Sequence, residues 1–228
     1  MSASAQSSQE REAAVCEARN DRLLALQERF VSKRQVHEER LASLRSAVDI
    51  RRAEIDEVIT ETAANYDERY QKWYEGYIEE TNDEVKQAAA TAFYQSVQTL
   101  LADRRAAYRE ARTTFRSTLD SIREERVTAQ RSAADTFRAQ AEAAYTTVTN
   151  ACGVRGRDAA QTRREFIDSL RSSRLTYAET RRSQQPYRDQ IQTAIETRTD
   201  AYKVARQTFE QGFQQALSTF REAENTTE

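Results

Sequence analysis

The stretch Asn150-Ala151-Cys152-Gly153-Val154-Arg155-Gly156 constrains this chain most. It holds two of the four glycines and one of the two cysteines, and on both sides lie long runs with almost nothing that breaks a helix. The whole chain has 228 residues and one proline, where average usage would give about 16 glycines and about 11 prolines. Loops are built largely from these residues, so few loops are available. The stretch reads as the reversal between two very long helices.

Composition supports this. Charged residues make up 32% and apolar residues 38% of the chain, as expected for long helices with narrow apolar seams. Ten tyrosines, eight phenylalanines and a regular apolar period argue against disorder. The net charge of −2 sets up no global field that demands nucleic acid or an anionic membrane. No apolar run approaches the ~20 residues that span a bilayer. Residues 1–9 lack the apolar core of a signal peptide. The expectation is a soluble, cytoplasmic chain, or an extracellular one if the numbering starts on a processed protein.

Residues 1–9 read as frayed, followed by a helix over 10–78. Its apolar positions include Val15, Leu23, Leu26, Phe30, Leu41, Leu44, Val48, Ile55, Ile59, Tyr66, Tyr70, Trp73 and Tyr77, in steps of three, four and seven that mark one helical face. Arg34 and His37 interrupt that seam. Thr81 and Glu84 have capping-box spacing, which ends the first helix near Gly76 to Glu80 and starts the next. A second helix is expected over 82–150, with a seven-residue apolar period from Leu101 to Ile122 and a period nearer eleven from Phe115 to Val148. After a turn at 151–156 a third helix is expected over 157–224, with Pro186 kinking it. Three segments of about 70 residues, each ~105 Å long, predict an all-α fold. The architecture is an elongated antiparallel three-helix coiled-coil rod, one domain over 1–228. Ala107-Tyr108-x-x-Ala111-Arg112-x-Thr114-Phe115 is echoed by Ala201-Tyr202-x-x-Ala205-Arg206-x-Thr208-Phe209, through duplication or a shared period.

No catalytic, cofactor or metal set emerges. His37 is the only histidine, whereas zincins and di-iron bundles need two, so it reads as a seam-edge side chain. Gly153-Val154-Arg155-Gly156 matches no nucleotide fingerprint and reads as a plain turn. Cys16 and Cys152 lie at similar distances from the Thr81 turn. A disulfide between them would be worth about 4–5 kcal/mol on the chain-entropy model; the alternative is two reduced cysteines packed as small apolar residues.

Charge placement says more. Glu54 to Glu84 holds eleven acids and two bases, a net of −9, and carries Tyr66, Tyr70, Trp73, Tyr74 and Tyr77. Arg155 to Arg188 holds nine arginines. Complementary ends suit head-to-tail contacts, which give filaments when they do not close. The expected function is a non-enzymatic structural protein that self-associates into a filament, lattice or scaffold. The expected contacts are Tyr70, Trp73, Tyr74 and Tyr77 with Arg155, Arg157, Arg163 and Arg164. No nucleic-acid or small-molecule partner is expected.

Two alternatives stand beside it. In length and helix count, with a proline in the third helix, the chain resembles BAR domains. That resemblance implies a membrane-binding dimer with Arg104-Arg105, Arg163-Arg164 and Arg181-Arg182 on one face. The other is an extracellular rod, a receptor stalk or adhesin, tied by Cys16 and Cys152, with Asn225-Thr226-Thr227 as a glycosylation sequon.

Overall fold

The computed structural model describes residues 3–151, 159–183 and 185–225. The described residues are helical, apart from short connections, and contain no strand. There are four helices: α1 (Ala3–Glu80), α2 (Glu84–Asn150), α3 (Ala159–Arg182) and α4 (Gln185–Asn225). The long helices follow from sequence: α1 and α2 contain no proline and α1 only one glycine.

The break between α3 and α4 corrects the expected kink. The described residues of the segment 157–224 form two helices, α3 and α4. The Ser183 amide bonds the Glu179 carbonyl at 3.0 Å and the Ser183 hydroxyl bonds the Thr180 carbonyl at 2.9 Å, closing the last turn of α3. Pro186 then falls in the first turn of α4. There its missing N–H is not needed, whereas inside a continuous helix its ring would clash with the carbonyl four residues back.

The α1–α2 connection differs too. Thr81 does not cap α2. The Asp83 carboxylate accepts from the amides of Val85 (2.8 Å) and Lys86 (3.3 Å), so Asp83 is the N-cap and α2 starts at Glu84 instead of 82. The Thr81 amide instead continues the α1 pattern by bonding the Tyr77 carbonyl at 3.1 Å. The Gln87 side chain donates to the carbonyls of Thr81 (2.6 Å) and Ile78 (3.3 Å), satisfying acceptors at the end of α1. Gly76 stays inside α1, and α1 already begins at Ala3, within the segment expected to fray.

Packing divides the chain into two units. Unit 1 holds 1–46 and 123–188, and unit 2 holds 47–122 and 189–228. Unit 1 packs half-buried Leu23, Leu26 and Phe30 of α1, buried Val127, Ala141, Ala144 and Val148 of α2, and Phe166, Leu170 and Tyr177 of α3. Phe137 joins them, with Phe30 edge-on at 5.8 Å and Tyr177 at 5.7 Å. Unit 2 centres on Ala90, Phe93, Val97, Leu101 and Phe220, packed against Tyr70, Tyr77, Phe213 and Leu217.

The buried and half-buried positions of α4 recur at eleven-residue intervals: Ala194, Ala205 and Ala216; Arg198, Phe209 and Phe220; Tyr202, Phe213 and Glu224. Eleven residues over three turns is 3.67 per turn, close to the period of an unstrained helix.

A candidate interaction surface on α1 and α3

The face that α1 turns to α2 is charged. In unit 1, Arg34 bonds Asp135 at 3.3 Å, Glu38 accepts from Arg131 Nε at 2.8 Å, and Arg45 pairs with Glu124. In unit 2, Arg52 holds Asp120 through two bonds of 2.8 Å, Asp56 receives two from Arg116 at 2.6 and 2.9 Å, and Asp67 receives two of 2.7 Å from Arg105. Within each unit a step forward along α1 is matched by an equal step back along α2. Four residues separate Asp56 from Arg52 and Asp120 from Arg116; eleven separate Asp67 from Asp56 and Arg116 from Arg105. This is antiparallel pairing in fixed register. The guanidinium groups hold the carboxyls of Asp56 and Glu38 below the usual carboxylate range, chiefly by hydrogen bonding.

The sequence-derived seam of α1 therefore does not face α2 squarely. Half-buried positions run Leu41, Val48, Arg52, Asp56, Ile59, Ala63, Asp67, Tyr70 and Tyr74, with eleven-residue intervals that include charges. Ile55, Tyr66 and Trp73 stand on the flank and are 42%, 60% and 39% exposed, with Val58 beside them. Spacings of eleven and seven place Ile55, Tyr66 and Trp73 on one helical face. His37 is exposed instead of lying at the edge of the core.

The residues expected to make an assembly interface fall into separate settings. Tyr74 stacks on Tyr94 at 4.4 Å, and its hydroxyl meets Thr91 at 3.1 Å. Tyr70 also stacks on Tyr94, at 5.7 Å, and burial pushes its hydroxyl up to about 12. Tyr77 donates to Glu224 at 2.8 Å and lies edge-on to Phe220 at 5.6 Å. These three close the core of unit 2. Trp73 packs edge-on against Phe93 (5.8 Å) and Phe220 (6.3 Å), yet keeps one side in water. Arg163 and Arg164 are exposed on α3, and Arg155 and Arg157 lie outside the described residues. Cys16 is half-buried and disulfide-bonded; Cys152 lies outside the described residues.

The outer face of α3 escaped sequence reasoning. Arg164, Ile167, Arg171, Leu175, Ala178 and Arg182 follow steps of three and four and lie on one face. Ile167 and Leu175 are 50% and 57% exposed. Among the described residues Arg171 and Arg174 form no ion pair, unlike Arg105, Arg116 and Arg131 of α2. The sequence signal for this face is apolar residues alternating with arginines at helical spacing.

The repeated motif is brought together in unit 2. Tyr108 and Tyr202 meet at 4.7 Å. On either side the arrangement is reciprocal. Arg104 sits 4.1 Å over the Phe209 ring and Arg198 sits 4.2 Å over Phe115. Each arginine and each phenylalanine holds the same place in its copy of the motif.

Among the described residues no group of three or more His, Cys, Asp and Glu side chains could hold a metal ion, and no helix is long and apolar enough to cross a membrane. A cleft in unit 2 is lined by small residues of α2 and α4 such as Ala92, Ser96, Gly212 and Ala216, with no convergent titratable groups. Comparison with protein-family models, curated proteins and solved structures finds no match to the chain.

Proposed function

We propose that this chain is a non-enzymatic structural protein that self-associates into a scaffold or filament. One observation carries the reading: much of the α1–α2 contact is made by ion pairs, while Ile55, Val58 and Tyr66 stay exposed and Trp73 stays partly so. Exposed ion pairs contribute about 0–1 kcal/mol each. Apolar surface removed from water is worth about 25 cal/mol per Å², so covering that flank is favourable. The rod architecture expected from sequence belongs to this reading, and small-angle scattering measures it. The test of function is sedimentation velocity over a concentration series at low and high salt. Growth with concentration that fades in salt supports self-association. A single monomeric boundary under every condition rejects it.

A second reading concerns the compartment. The disulfide at Cys16 favours an oxidising setting, where such bonds persist, over the cytoplasm. Loss of thermal stability on adding reductant supports this, and an unchanged melt rejects it.

A further inference from the structure

Resting on that self-association, we infer that the flank of α1 in unit 2 is covered by the outer face of α3 from a second copy of this chain. Three features on the page point to this occupant. The first is charge. The segment Glu54 to Glu84 carries a net of −9, whereas α3 carries six arginines against Glu165, Asp168 and Glu179. An α1-to-α1 contact would bring two acidic segments together, and opposed like charges are suppressed at interfaces.

The second is chemistry. The α1 flank leaves the rings of Tyr66 and, in part, Trp73 exposed, and α3 presents guanidinium groups of Arg171 and Arg174 that have no carboxylate partner among the described residues. Arginine stacks readily on such rings. Ile167 and Leu175 lie between the arginines, as Ile55 and Val58 lie between acids on α1. Each face is thus part apolar and part charged, with opposite sign.

The third is reach. Ile55 to Trp73 and Arg164 to Arg182 both span eighteen residues, about 27 Å of helix axis in each case. The two faces match end to end. Because they are different surfaces, the contact is heterologous, and each copy keeps one unused face of each kind, so assembly propagates unless the rotation closes a ring.

The experiment uses the full chain in two forms. Arg171→Glu/Arg174→Glu removes the α3 face, and Val58→Ser/Tyr66→Ala removes the α1 face. All four positions are exposed, and an unchanged helical circular-dichroism signal and melt verify folding. Wild type is expected to grow with concentration at low salt, and each double variant to remain monomeric. Their equimolar mixture is expected to form a one-to-one dimer that stops growing, because a single productive contact remains.

If wild type associates and Arg171→Glu/Arg174→Glu associates equally well, the α3 assignment is overturned while self-association stands. If wild type is monomeric throughout, both fall. Binding of wild type to phosphatidylserine vesicles, lost in Arg171→Glu/Arg174→Glu without any self-association, would make the arginine face a membrane surface and would also overturn the inference.

Discussion

Arg116 grips Asp56 with both terminal nitrogens, at 2.6 and 2.9 Å, so that a half-buried guanidinium on α2 fixes a half-buried carboxylate on α1. The pair sets both the rotation and the axial position of one helix against the other. Its folded carboxyl is held below the ordinary 3.8. A lowered carboxyl contributes stability that is fully present above the ordinary value and is lost as pH falls through the folded value. Glu38, paired with Arg131 and held below 4.5, behaves alike. Melting temperature is therefore expected to be flat from pH 7 to about 5 and to fall below pH 4. Asp56→Asn should flatten part of that fall while changing stability at pH 7 by about 1 kcal/mol or less. An acid transition identical in the variant would refute the assignment.

Tyr70 gives the opposite pH dependence. Its hydroxyl is buried with no hydrogen-bond partner among the described residues, and burial pushes it from 10.0 up to about 12. A raised value favours the neutral form in the fold, so stability present below pH 10 is lost as pH rises toward 12. Tyr70→Phe removes an unsatisfied polar atom and should stabilise by about 1 kcal/mol at pH 7. It should also move alkaline unfolding to higher pH. Urea melts at pH 7 and 11 measure both, and destabilisation at pH 7 would show that the hydroxyl has a partner.

Phe93 is the aromatic hub of unit 2. It is 6% exposed and touches Tyr70, Trp73, Phe213 and Phe220, with Phe220 stacked at 5.2 Å. Phe93→Ala is expected to destabilise by about 3–5 kcal/mol. A smaller loss in chemical denaturation, below about 2 kcal/mol, would mean that the neighbouring rings collapse into the space.

The two helical glycines make a contrasting pair. A Cβ at Gly76 would meet nothing within 4 Å, so Gly76→Ala should stabilise by about 0.5–1 kcal/mol through helix propensity alone. A Cβ at Gly212 would lie 2.6 Å from Leu100 Cδ2. Leu100 would have to swing aside, and Gly212→Ala should gain less than Gly76→Ala. Gly212→Val adds a branched three-carbon side chain at the α2–α4 contact and should destabilise by about 1–3 kcal/mol. Equal effects of alanine at both sites in thermal melts would dismiss the close approach.

Much of the candidate surface was legible only in part. Trp73 and the acidic segment around it stand out in the sequence, but nothing local separates Trp73 from Tyr74. One is part in water, and the other stacks on Tyr94. The ladder of Asp56, Asp67, Arg105 and Arg116 has eleven-residue intervals in the sequence, but spacing alone does not say that these charges face each other. Ile167 and Leu175 stand among arginines, so no continuous apolar stripe marks them in the sequence.

The sequence by itself determined that the chain is helical, that α1 ends near Thr81, and that Pro186 disrupts the last segment, because capping, proline and helical period act within a turn or two of chain. Tertiary structure alone decided which flank of α1 meets α2, which tyrosines close a core and which stay exposed. Those outcomes depend on rotation and axial register between helices, fixed by contacts such as Arg105 with Asp67, 38 residues apart, and Arg34 with Asp135, 101 apart. A helical period states which residues share a face. Only the partner across the interface states which face is buried.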